Sequence, residues 1–138
     1  VRDYAHFYLN DIYIGKMDRT KNDEVLKFKL SNQKENNLKI LVENLGRINF
    51  GEMLLENKKG IIGNVVFNDK IVENWTSYKV GLKDIANLKN SNSYSNLNNR
   101  LLENPYLSKC KFKLDEIGDT YIDLSNYGKG TIWINNYN

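Results

Sequence analysis

Few side chains in this sequence can do chemistry by type alone. His6 is the single histidine and Cys110 the single cysteine. One of each cannot build a zinc site, so no metal is expected. His6 sits mid-strand and reads as a packed or surface-facing hairpin residue rather than a base or ligand. Cys110 lies between lysines and reads as a small core residue, since no second histidine is available to activate it. Asp119 and Asp123 are spaced loosely like calcium ligands but lack the loop glycine such a site needs. Glycoside hydrolysis uses paired carboxylates, and Glu43 and Glu52 are the candidates, though nothing in the chain sets them across a cleft. No cofactor motif is present.

Arg47 carries a planar fork of donors. Its expected role is to tie loop carbonyls to the Glu43 carboxylate, in preference to binding substrate. Trp75 and Trp133 are flanked by strand-forming apolar residues and read as core anchors. Several of Tyr4, Tyr8, Tyr13, Tyr121 and Tyr127 read as surface aromatics. A sugar-stacking face at Tyr8, Tyr13 or Trp133 is the alternative to plain packing.

The elements that must position these groups are strands. Leu38, Ile40 and Val42 alternate with Lys39 and Glu43, broken only by Leu41. A polar loop follows with Glu43, Asn44, Arg47, Asn49 and Phe50, punctuated by Gly46 and Gly51. Residues 4–17 predict a hairpin turned by Asn10-Asp11, two residues that accept the left-handed conformation of a tight primed turn. Further strands are expected at 25–30, 60–67 and 71–80, with a turn at Asn68-Asp69-Lys70. Others are expected at 105–114, 119–124 and 131–134, with a turn at 126–130. Leu82, Ile85, Ala86 and Leu88 suit a short helix, and 90–99 is a Ser/Asn-rich exposed connection. The pattern at His6–Asp11 returns at Thr131–Asn136, an apolar strand with an aromatic running into turn residues. That echo points to parts of two tandem sandwiches.

Size and charge bound the rest. The 138 residues are 41% hydrophobic and 27% charged, an ordinary globular composition with room for one core or pieces of two. The net charge of +3 is spread among interspersed acids and bases, so no basic stripe suggests nucleic acid. No apolar run reaches the ~18 residues of a membrane helix. A lone cysteine forms no intrachain disulfide and leaves the compartment open. The opening Val1-Arg2-Asp3-Tyr4-Ala5 reads as the middle of something larger.

Several runs resemble the accessory β-domains of family 35 β-galactosidases. They are Val1–Ala5, Gly15–Arg19, Leu41–Gly51, Lys59-Gly60-Ile61, Asn74-Trp75, Asp119–Ile122 and Lys129–Asn135, in the same order over nearly the whole chain. The Leu-Val-Glu-Asn-x-Gly-Arg-x-Asn-aromatic-Gly run is the most specific. The resemblance implies jelly rolls of galactose-binding type that follow a catalytic (β/α)8 barrel, whose two glutamates cleave terminal β-galactosides with retention. Nothing here matches that barrel or its glutamates. The resemblance also implies that Phe50, with Asn49, projects towards the barrel's sugar site. Phe50 stands where tyrosine is common, which removes a hydroxyl contact. Asn136 replaces the usual glycine, a mild change in a turn. The chain stops before the usual Leu-Gly-Arg-Tyr-Trp and so reads as a fragment.

The expected fold is an all-β antiparallel sandwich. Residues 1–82 would be later strands of a first sandwich, 83–104 an Asn/Ser-rich connection, and 105–138 the opening strands of a second, galactose-binding-like one. The expected partners are the catalytic barrel of the same parent chain and a β-galactoside, with neither nucleic acid nor membrane. The expected job is to brace the barrel and shape its site, with Glu43, Asn44 and Arg47 organising the loop. The rivals are a stand-alone carbohydrate-binding module and an architectural protein–protein module.

Overall fold

A computed structural model describes residues 1–21, 25–81, 87–88, 105–135 and 137–138. The fold is all-β and antiparallel. β1 (Tyr4–Leu9) and β2 (Ile12–Asp18) form the expected hairpin, and β3 (Leu38–Glu43) pairs with the other edge of β1. The sheet order is β2-β1-β3, so β1 is the central strand. β4 (Val66–Phe67) and β5 (Lys70–Ile71) make a second, small antiparallel pair.

Both hairpins turn for the same reason. Asn10 and Asp11 have φ of 51° and 66°, and Asn68 and Asp69 have 46° and 64°. Left-handed backbone at both central residues gives the turn a twist matching that of the flanking strands, and Asn and Asp accept it at low cost. The Asn10 side chain adds a second lock: its Oδ1 accepts from the Asn37 amide at 2.8 Å, tying the turn to the start of β3.

The alternation of β1 sorts its side chains onto two faces. Ala5, Phe7 and Leu9 are buried on one, opposite Val42, Ile40 and Leu38 of β3, which are half-buried. Tyr4, His6 and Tyr8 share the other with Lys16, Leu41, Lys39 and Glu43. A bulge interrupts β2, where Phe7 faces Gly15 while Tyr8 faces Tyr13. Gly15 has φ of 148°, and the Leu26 side chain packs directly against it.

The expected strands are otherwise shorter or unformed. Val25–Leu30 carries no ladder. It contributes side chains instead, Leu26 on Gly15 and Phe28 stacked on Phe67 with ring centroids 5.8 Å apart. The run from Gly60 keeps one bridge, Arg2 to Gly60, before β4. In 105–135 no strand forms among the described residues, and the one pairing there joins Ile134 to Tyr137. The physical reason is common to all of them. Apolar alternation marks a capacity to pair, but a strand exists only when a neighbour's backbone completes its ladder.

Two further expectations fall with those strands. Cys110 is exposed rather than a core residue, because no paired strand covers it. Trp75 is 41% exposed and folds back on its own chain, its indole N–H donating to the Val72 carbonyl at 2.9 Å. The helix around 82–88 and the connection at 90–99 lie almost wholly outside the described residues.

Gly15 offers a test of this packing. A methyl group added there would meet Leu26 Cδ1 at 2.5 Å, at a backbone angle that side-chain-bearing residues rarely adopt. Gly15→Ala is expected to lose about 1–3 kcal/mol in urea unfolding. A change under about 0.5 kcal/mol, the ordinary surface range, would mean that Leu26 does not pack on the bulge.

Candidate functional site

The site is built around a carboxylate that the sequence alone did not single out. Asp3 lies just before β1 and is 1% exposed. Its Oδ1 accepts from Arg19 Nη1 at 2.9 Å. Its Oδ2 accepts from Lys59 Nζ at 2.7 Å and from the Leu45 amide at 2.9 Å. Its own amide donates to the Glu43 carbonyl and its carbonyl accepts from the Arg19 amide. One residue thus joins the end of β2, the loop after β3 and the segment at Lys59, while Arg2 pairs with Gly60 beside it.

Burial raises the carboxyl pKa of Asp3, but the Lys59 and Leu45 hydrogen bonds and the Lys59 and Arg19 charges outweigh it, and the net direction is downward. Arg19, Lys59 and Arg47 line a cavity of about 210 Å³ with Asp3 at its wall.

The loop after β3 is held at its base and open at its tip. Asn44 Oδ1 accepts from the Gly46 amide at 2.9 Å and closes a local turn. Gly46 and Gly51 have φ of 100° and 108°, with open space where a Cβ would stand, so glycine is needed there for its backbone. The chain then enters a 3-10 turn at Glu52–Leu54. Asn49 is exposed and Phe50 is 91% exposed.

The three residues expected to organise this loop separate. Asn44 shapes the turn. Glu43 pairs with Lys129 rather than with Arg47. Arg47 instead lines the Asp3 cavity. The reason is register: Glu43 pairs with Tyr4 across the sheet and stands on the Tyr4 face, where Lys129 also lies, with its ammonium 4.1 Å from the Tyr4 ring centroid.

That face gathers the aromatics of the hairpin. His6 is 8% exposed, with its ring centroid 5.0 Å from that of Tyr4 and 6.0 Å from that of Tyr13. Burial and the nearby Lys129 and Lys16 cations lower its pKa, against Glu43, and its Nδ1 is buried without a hydrogen bond. Tyr8 and Tyr13 meet edge to face at 5.6 Å. Both are half-buried, so they present ring edges more than an open platform. Trp133 is half-buried in the unpaired segment.

A family model described as the β-galactosidase first all-beta domain matches residues 1–81. β-Galactosidase 1 of Dictyostelium discoideum is 33% identical over 106 residues, covering 74% of this chain and 16% of the relative. β-Galactosidase-1-like protein 2 of Homo sapiens is 30% identical over 145 residues, covering 100% of this chain and 21% of the relative. The β-galactosidase of Xanthomonas manihotis is 24% identical over 138 residues, covering 100% and 22%. The chain therefore spans about a fifth of the length of these relatives. No solved structure matches it.

The two shifted groups predict how stability follows pH. His6 is held neutral in the fold, so the unfolded chain binds its proton first, and stability declines as pH falls below about 6.5. Asp3 is held ionised, so its contribution persists above about pH 4 and is lost as pH drops through the lowered folded value. Urea unfolding from pH 8 to 3 should show both limbs. His6→Phe should remove the upper one. Asp3→Asn should cost about 3 kcal/mol at pH 7 and flatten the lower limb. An Asp3→Asn profile parallel to the parent's would contradict the assignment.

Proposed function

The chain belongs to the family of β-galactosidase first all-beta domains, and from that premise we propose that it braces the catalytic barrel of a longer parent protein and shapes its galactoside site. The barrel supplies both catalytic glutamates. This chain supplies no chemical step. In the same reading, residues 1–82 are strands of a first sandwich, 83–104 connect, and 105–138 open a second of galactose-binding type. The family match, ending at residue 81, supports a boundary there.

The observation that carries the reading is the contrast within one loop. Its base is fixed to Asp3 through the Leu45 amide. Its tip holds Phe50 almost wholly exposed, next to Asn49. An exposed aromatic on an anchored loop loses little entropy when it packs against something else, which suits a contact surface. Phe50 would lay its ring on the apolar side of a galactose unit, and without a hydroxyl it contributes packing alone. The carbohydrate-binding alternative, through Tyr8, Tyr13 and Trp133, has weaker support, because the two tyrosines meet edge to face and are half-buried.

Two outcomes follow. The isolated chain should not turn over a chromogenic galactoside, and turnover that tracks its concentration through repurification would overturn the assignment of catalysis to the barrel. In the full-length enzyme, Phe50→Ala should lower kcat/KM for a galactoside about tenfold, equivalent to about 1–2 kcal/mol, with domain stability almost unchanged. Unfolding of the domain with kcat/KM intact per folded molecule would place Phe50 in the core instead.

A further inference from the structure

The cavity beside Asp3 holds more positive charge than Asp3 can balance. Arg19, Arg47 and Lys59 all line it, three cations against one carboxylate. Asp3 already accepts three hydrogen bonds, Oδ1 from Arg19 and Oδ2 from Lys59 and the Leu45 amide. Among the described residues Arg47 has no ion-pair partner. The Lys59 side chain is 14% exposed and that of Arg19 38%, while Arg47 is exposed, so solvent screens Arg47 most and Lys59 least. Like charges gathered around one pocket repel, and an anion placed among them relieves that repulsion.

The geometry points to a carboxylate-binding cavity in which Arg47, backed by Arg19 and Lys59, receives a planar carboxylate from outside the described residues. A guanidinium fork matches a carboxylate through two parallel hydrogen bonds, which a spherical halide cannot accept. Only one guanidinium nitrogen of Arg19 is bonded to Asp3. A volume of about 210 Å³ accommodates a carboxylate together with a few waters, each of which takes roughly 30 Å³. Leu45 and Ile48 line the same cavity and give an apolar wall for the carbon skeleton of the acid. The carboxylate has two conceivable sources, an acidic side chain elsewhere in a longer parent protein and a diffusible acid. The inference is independent of the role proposed for Phe50, which stands at the loop tip.

Acetate is the probe. In the 138-residue chain, acetate titrated against chloride at matched ionic strength should shift the Arg47 and Arg19 side-chain NMR signals saturably and raise the unfolding temperature. Arg47→Gln should abolish the saturable response, and Arg47→Lys, which keeps the charge and loses the fork, should weaken it several-fold. Side-chain NMR reads binding at native temperature, so the result holds for any variant that folds, and Arg47→Lys stands in where Arg47→Gln does not. The same titration on a full-length parent separates the sources: loss of the acetate response means that an internal carboxylate already fills the cavity, and a retained response means a diffusible acid. An effect of acetate on the 138-residue chain no greater than that of chloride, or one unchanged in both Arg47 variants, overturns the inference.

Discussion

A single carboxylate, that of Asp3, determines where the loop after β3 can go. Hydrogen bonds to a buried charged acceptor are short and strong, and leaving such an acceptor unpaired is costly. Three donors from three separate segments therefore converge on it: Arg19, Lys59 and the Leu45 amide. The sheet supplies the platform. β1 is buried along nearly its whole length and sets Asp3 at its entrance, while β2 and β3 bring Arg19 and Leu45 within reach. Remove the carboxylate and two cations lose their partner while the loop loses its anchor.

This arrangement reconciles rigidity at one end of the loop with exposure at the other. Anchoring through a backbone amide fixes position without consuming a side chain, so the residues on either side of Leu45 are free to serve other ends. Asn44 closes a turn, Arg47 enters the cavity, and Asn49 and Phe50 face outwards. The opposite sheet face runs on different forces. There Lys129 lies over the Tyr4 ring and pairs with Glu43, tying the later part of the chain to the first sheet beside the buried His6.

Local features were the legible part of the sequence. Asn10-Asp11 and Asn68-Asp69 were readable as turns because their left-handed preference is intrinsic. The alternation in Leu38–Glu43 was readable because β3 does have one face towards the core. The strands expected after residue 104 were not, because pairing depends on partners that alternation does not specify. Asp3 was invisible for a similar reason: its donors lie 16, 42 and 56 residues away in sequence. One signal did point there. The runs 1–5, 15–19, 41–51 and 59–61, which carry the family resemblance, each contribute a residue to the Asp3 cluster. Glu43 and Arg47 are close in sequence but part company in the fold: register places Glu43 on the Tyr4 face, and Arg47, beyond the end of β3, lines the cavity.

The central claim is that Asp3 holds the loop through the Leu45 amide, and native-state hydrogen exchange reads that amide directly. Solvent exchange requires the bond to open, so its rate reports the free energy of releasing the loop. Leu45 should be protected about as strongly as the amides of β1 at neutral pH. Exchange of Leu45 at the rate of an unprotected loop amide, with β1 still protected, would contradict it.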